Sequence, residues 1–134
     1  MSILHSNMNK LLKIAADAAE RAYAPYSKFH VGAALLAESG EIFTGCNVEN
    51  ASYGLSNCAE RTAVFKAVSE GVQTFTAIAI AVPGGGSPCG ACRQVLNEFN
   101  PRLKIYLGDE KGRLVRETTL DVLLPDAFGP ENLG

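Results

Sequence analysis

The 134-residue chain has no marked excess of either charge: twelve Lys and Arg stand against fourteen Asp and Glu, for a formal net charge of −2. That excludes a strongly basic surface, and with it nucleic acid as a main partner. The balance is equally wrong for an acidic disordered tail. A long hydrophobic run is also missing. The longest, residues 75–82, is far short of the ~20 apolar residues that cross a bilayer, so no membrane partner is expected. The opening MSILHSNMNK contains no apolar stretch resembling a secretory signal, and the chain reads as cytoplasmic. Internal repeats, low-complexity tracts and dividing linkers are lacking too. Pro83-Gly84-Gly85-Gly86-Ser87-Pro88 is long enough for a loop and no more. One domain over residues 1–134 follows, large enough to bury roughly two-thirds of its unfolded surface. Charged residues make up 19%, below the usual ~25%, which points to surface covered by other subunits.

What is present alternates between two periods. Leu11, Ile14, Ala15, Ala18 and Ala22 share one helical face, with Lys10, Lys13, Asp17, Glu20 and Arg21 opposite, and Pro25 as the stop. Residues 31–38 and 41–46 read as a β-hairpin turning at Ser39-Gly40. Residues 58–70 form a second helix, with Ala59, Ala63, Val64, Ala67 and Val68 inward and Gly71 as its end. Residues 75–82 read as a central buried strand. Pro88 suits the first position of a third helix whose buried side is Ala91, Val95, Leu96 and Phe99. Strands at 103–107 and near 113–116 and a last helix at 119–124 complete the order α-β-β-α-β-α-β-β-α. This predicts an α/β layered sandwich with a mixed five-stranded sheet, the opening hairpin supplying the antiparallel part.

The four cysteines, in a reducing compartment, read as free thiols or metal ligands rather than as two disulfides. Cys58 opens the second helix, and Cys89 and Cys92 lie three apart in the first turn of the third, facing one side. Helix N-termini lower thiol pKa values. Three thiolates gathered there make a soft site suited to Zn²⁺, with one coordination position open, as in catalytic rather than structural zinc sites. Glu60 has two uses at this position: the proton carrier for a metal-bound water, or a capping box with Asn57. Arg61 either donates to the thiolate sulfurs and offsets their charge, or is a solvated helix arginine. Asn47 and Glu49, two apart on an extended segment, point the same way and suit a vicinal diol, though loop polarity is the other reading. Phe29 and Phe128 could be core residues as easily as binding residues, and Tyr53 could touch a sugar or pack.

Cys58-Ala59-Glu60 followed by Pro88-Cys89-Gly90-Ala91-Cys92 has the zinc deaminase pattern of ligand-x-Glu and Pro-Cys-x-x-Cys. Tyr26-Ser27-Lys28-Phe29, Val31-Gly32-Ala33-Ala34-Leu35, Gly45-Cys46-Asn47-Val48-Glu49-Asn50-Ala51-Ser52-Tyr53, residues 89–96 and Leu123-Leu124-Pro125-Asp126-Ala127-Phe128 occur in the same order. Together they resemble the small homotetrameric cytidine deaminases from about Ala22 to Phe128. The resemblance implies a three-layer αβα sandwich. It also implies hydrolytic deamination of cytidine and 2'-deoxycytidine to uridine and 2'-deoxyuridine with release of ammonia, in pyrimidine salvage. One Zn²⁺ per chain would be held by Cys58, Cys89 and Cys92, with Glu60 as proton shuttle. Asn47 and Glu49 would hold the ribose hydroxyls and Phe29 would pack on the pyrimidine. Phe128 would enter the pocket of a neighbouring subunit of a tetramer with shared active sites. His30 departs from the pattern, standing where the family usually has proline. In the expected reaction a water made acidic by zinc gives its proton to Glu60, which passes it to ring N3. Hydroxide adds to C4, and Glu60 then moves a proton to the amino group.

Three rivals are open at this level. Cys89-Gly90-Ala91-Cys92 after a strand is also a thioredoxin-like layout, in which Cys58-Ala59-Glu60 would have no job. A structural four-cysteine zinc site would recruit Cys46, which otherwise reads as a small buried apolar residue. Deamination of a base within RNA or DNA would use the same motifs, but the net charge and small size argue against it; a related aminopyrimidine nucleoside or antibiotic is the other substrate the motifs allow.

Overall fold

In the computed structural model, which describes residues 3–133, the elements follow the predicted order. Helix α1 (Ile3–Ala19) buries Met8, Leu11, Leu12, Ala15, Ala18 and Ala19 along one stripe. Strands β1 (Gly32–Ala37) and β2 (Ile42–Cys46) pair antiparallel, and Gly40 takes a left-handed φ of 98° at their turn. Helix α2 (Ala59–Ser69) ends in a Schellman arrangement at Gly71: Val72 N–H donates to the Ala67 carbonyl at 3.0 Å and Gly71 N–H to that of Val68 at 2.9 Å. Then come β3 (Phe75–Ala81), α3 (Gly90–Phe99), β4 (Lys104–Gly108), β5 (Leu114–Thr119) and α4 (Leu120–Leu123).

The five strands form one sheet in the order β2-β1-β3-β4-β5. Only β3 and β4 run parallel, so the sheet is mixed and β3 is central, as the sequence predicts. Side-chain alternation sorts its two faces. Ala33, Leu35, Ile78, Ile80, Ile105 and Leu107 pack against α2 and α3. Ala34, Ala77, Ala79, Ala81 and Tyr106 pack against α1. The result is an αβα sandwich whose α1 face, lined by alanines, lets that helix approach closely. No described helix is long and apolar enough to cross a membrane.

Register decides where function can sit. Gly32, at the start of β1, pairs with Cys46 at the end of β2 and with Ala81 at the end of β3, and Ala81 pairs with Gly108 at the end of β4. The segment entering β1 and the connections leading to α2 and α3 therefore meet at one end of the sheet. A Cβ on Gly45 would collide with the backbone of Ala59 and Ala63, so β2 and the first turn of α2 touch main chain to main chain.

Several predicted boundaries shift. Helix α1 ends at Ala19, well before Pro25, and leaves Ala22 outside it. The chain turns away there because Tyr23 pairs with the 47–49 segment: Tyr23 N–H donates to Asn47 O at 2.9 Å, and Glu49 N–H to Tyr23 O at 2.8 Å. Pro88 is not the first residue of α3. Cys89, extended at φ −66° and ψ 167°, caps that helix, which starts at Gly90. Ala91 is exposed, and Cys92 and Asn97 take the buried positions instead. The last helix keeps only residues 120–123, since Thr118 and Thr119 extend β5 opposite Ile105 and Lys104.

Candidate active site

Two helix tips carry the three predicted thiols to the same end of the sheet. Cys58 is the N-cap residue of α2 and Cys89 that of α3, with Cys92 in the first turn behind it. The Cys58 and Cys89 sulfurs lie 4.0 Å apart and those of Cys89 and Cys92 3.4 Å apart. All three fall within 4.8 Å of one another, and among the described residues no fourth Cys, His, Asp or Glu joins them. Sulfurs at ~2.3 Å from a tetrahedral Zn²⁺ stand ~3.8 Å apart, so both the spacing and the soft donor set fit zinc. Cys46 lies outside the group. A dithiol of Cys89 and Cys92 alone would not account for the third sulfur beside them.

The local electrostatics favour thiolate at Cys58. The buried Cys92 thiol beside it, and the Arg61 guanidinium that donates to its sulfur at 3.4 Å, bring Cys58 down to about 5, while the closeness of Cys58 and burial push Cys92 up. Arg61 is thus turned onto the sulfur cluster, not into solvent.

Glu60 is 5% exposed. Burial first, and then the negative charge of Cys58, raise its carboxyl to about 6. The capping box with Asn57 does not form: Cys58 takes the cap position, and the Asn57 amide donates to the Thr62 hydroxyl at 3.0 Å. A buried carboxyl with its proton poised near neutrality therefore lines a cleft of about 420 Å³ beside Cys58 and Cys89.

Phe29, Asn47 and Glu49 line that cleft too, from the 23–31 and 47–49 segments. The Asn47 side chain accepts from Val31 N–H at 2.9 Å and donates to Phe29 O at 2.8 Å. Glu49 accepts from the backbone N–H groups of Tyr26 and Ser27, both at 3.1 Å, and from the Ser27 hydroxyl, whose bond holds its carboxyl below the usual range. Phe128 is not brought into this cleft. Its side chain is 59% exposed, while its carbonyl is tied to α3 by Gln94 at 2.7 Å and Asn97 at 3.2 Å. Tyr53, 75% exposed, packs edge-on to Tyr26, and the two line a separate pocket of about 360 Å³ that shares Ser27 and Glu49 with this cleft. His30 turns away from the sulfurs, its Nδ1 3.3 Å from the Ala19 carbonyl at the end of α1. Ser27, Val31, Val82 and Ser87 also line the cleft. Sequence reasoning passed over them, because the signal for each was only adjacency to a motif residue.

Residues 5–108 match the family model of the cytidine and deoxycytidylate deaminase zinc-binding region. The chain is 55% identical over 130 residues to a cytidine deaminase of Sporosarcina psychrophila, covering 95% of each. It is 52% identical over 130 residues to a cytidine deaminase of Halalkalibacterium halodurans, covering 92% of this chain and 95% of the relative. Among solved structures, the cytidine deaminase of Burkholderia pseudomallei superposes with a TM-score of 0.84 at 50% identity, covering 96% of this chain and 100% of that one.

Proposed function

This chain belongs to the zinc-binding cytidine and deoxycytidylate deaminase family, and from that premise we propose that it hydrolyses cytidine and 2'-deoxycytidine to the uridine counterparts and ammonia, serving pyrimidine salvage in the cytoplasm. The observation that carries this is a buried carboxyl, Glu60, beside an open-sided trio of thiols in one nucleoside-sized cleft. Zinc is the cofactor, one per chain on Cys58, Cys89 and Cys92. When bound, it acts as a Lewis acid that makes water nucleophilic near neutral pH.

The chain's own residues do the rest. Glu60 takes a proton from water and gives it to ring N3, which leaves C4 electron-poor. The water oxygen bonds to C4, Glu60 takes the remaining proton of that new hydroxyl and carries it to the amino nitrogen, and the bond from C4 to that nitrogen breaks, releasing ammonia and leaving the C4 carbonyl. Burial raises the Glu60 carboxyl toward neutrality, where accepting and returning a proton costs little. The Arg61 guanidinium offsets the charge of the thiolates. Phe29 packs on the pyrimidine, and Asn47 and Glu49 take the ribose hydroxyls. Phe128, exposed on this chain, supplies an aromatic to the cleft of a neighbouring copy in a homotetramer.

The test is a purified sample with zinc measured and cytidine, deoxycytidine, cytosine and adenosine offered in an absorbance assay, with sedimentation on the same material. About one zinc per chain, turnover of the two cytosine nucleosides only and a tetramer are expected. A metal-free dithiol that reduces disulfides, or zinc-loaded protein inert to both nucleosides, would overturn the reading.

A further inference from the structure

Of the three thiols, Cys89 is the one most open to solvent. Cys58 and Cys92 are half-buried and buried, whereas Cys89 is exposed. It follows the 83–88 connection, in which three of six residues are glycine, and Gly84 and Gly85 take left-handed φ of 74° and 78°. Such a segment brings almost no side chains with which to pack itself, and glycine gives it the widest backbone freedom. Its first half is pinned from the β4–β5 turn, where the Glu110 carboxylate accepts from Gly84 N–H at 3.0 Å. Its second half delivers the ligand: Cys89 is capped onto α3, its sulfur accepting from Cys92 N–H at 3.5 Å and its carbonyl from Arg93 N–H at 3.0 Å, and among the described residues the two positions before it are hydrogen-bonded by one side chain.

That side chain is Arg93, one helical turn beyond Cys89 on α3. Its Nε donates to the Pro88 carbonyl at 2.8 Å, its Nη2 to the Ser87 hydroxyl at 3.1 Å and its Nη1 to the Leu123 carbonyl at 2.7 Å. All three acceptors are uncharged, and among the described residues Arg93 forms no ion pair. Its charge therefore stays uncompensated one turn from a site that carries net negative charge when three thiolates hold a divalent ion. The planar fork spans three acceptors in fixed directions. A lysine ammonium on its flexible stem does not reproduce that geometry.

We infer that Arg93 is a positioning residue for the metal site: its guanidinium, tied to Pro88, Ser87 and Leu123, holds the ligand loop so that Cys89 stays in register with Cys58 and Cys92. The inference rests on the zinc reading above. It also gives the Leu123 region a part in the site, because the same fork joins the ligand loop to the segment that leads to Phe128.

The experiment measures zinc release from the full-length loaded protein to a colorimetric chelator, for wild type, Arg93→Lys, Arg93→Gln and Ser87→Ala. Loss of an outer partner of a ligand changes metal affinity ~10–100-fold. The two Arg93 variants should release zinc faster by about that factor, and Ser87→Ala, which removes one bond of three, by a smaller one. The sulfur-to-metal absorption of the cobalt-substituted protein should change in the Arg93 variants. A merely structural arginine would lower the melting temperature of loaded and zinc-free protein alike and leave release unchanged. Folded Arg93 variants with release within twofold of wild type and an unaltered cobalt spectrum overturn the inference. Should they fail to fold, an unchanged release rate in Ser87→Ala overturns it. Wild type that binds no zinc would sink the function proposed above, whereas wild type with one zinc and equally retentive variants would sink only the role of Arg93.

Discussion

Gly45→Ala is a one-carbon change that should reach the chemistry without touching a ligand. A Cβ built on Gly45 collides with the Ala59 carbonyl oxygen and stands 2.5 Å from Ala63 N and 3.1 Å from Ala63 Cα. Ordinary carbon contacts lie at ~3.5–4.0 Å, so the first turn of α2 must retreat from β2 by about 1 Å. Every atom in the way is main chain, and none can swing aside as the tip of a flexible side chain would. The turn that retreats carries Cys58 at its cap and Glu60 behind it. Overfilling a packed contact costs about 1–3 kcal/mol, and a misplacement of about 1 Å at reacting groups costs ~10²-fold in rate. The expected result is a stability loss of about 2–3 kcal/mol in a urea melt and a fall of about 100-fold in kcat/KM for cytidine. Gly54→Ala is the control, since no atom lies within 4 Å of a Cβ there; its stability should stay within about 0.5 kcal/mol of wild type. Wild-type stability and rate in Gly45→Ala would refute the claim that close backbone contact between β2 and α2 sets the position of the site.

Glu60→Gln should keep its zinc while turnover drops ~10²–10⁴-fold, and near-normal turnover would remove Glu60 from the mechanism. In zinc-free protein the same substitution should raise stability at neutral pH. With the folded carboxyl raised from 4.5 to about 6, the unfolded chain loses this proton first, so stability falls as pH rises through that window. Glu60→Gln should therefore match wild type below the window and exceed it by about 2 kcal/mol above it; equal urea midpoints at neutral pH would contradict the burial argument. Arg61→Gln removes the donor to the Cys58 sulfur and should weaken zinc binding ~10–100-fold in chelator competition, whereas an unchanged affinity would make the guanidinium incidental. Cys46→Ser should leave the zinc content intact, because Cys46 lies outside the sulfur cluster; lost metal would make it a ligand.

What the sequence made legible was whatever had a local cause. Gly71 ends α2 because only a left-handed residue closes that turn, and residues 75–82 are central because an apolar run without alternation needs cover on both faces. The closeness of Cys89 and Cys92 follows from their spacing, and Cys58 could be added because both helices leave the same end of a sheet. Boundaries failed where the cause is distant in the chain. Residues 20–22 are helix-compatible, yet the chain abandons α1 so that Tyr23 can pair with residues 47–49. Thr118 and Thr119 could start a helix or end a strand, and β4 decides for the strand. The work of Arg93 was invisible for the same reason: its partner Leu123 is thirty residues away, and its other two acceptors are a carbonyl and a hydroxyl that no motif marks.

Asn47 and Glu49 show how such non-local pairing shapes the proposed function. The strand-like 47–49 segment, held by Tyr23 on one side and Asn57 on the other, turns both side chains toward the cleft. Each polar group then takes part in fixing the loop opposite. Asn47 holds the backbone on both sides of His30, and Glu49 gathers Tyr26 and Ser27. A proline at position 30 would restrict the backbone covalently; with histidine there, more of that restriction falls to the Asn47 amide. The residues proposed to grip the sugar thus also fix the backbone of Phe29, the residue proposed to pack on the base. Each carboxylate oxygen can accept more than one hydrogen bond, so Glu49 can hold the loop and still receive a hydroxyl. On the proposed assignment, base and sugar recognition would rest on one short ladder of hydrogen bonds, and a change at Asn47 should disturb contacts to both halves of a nucleoside.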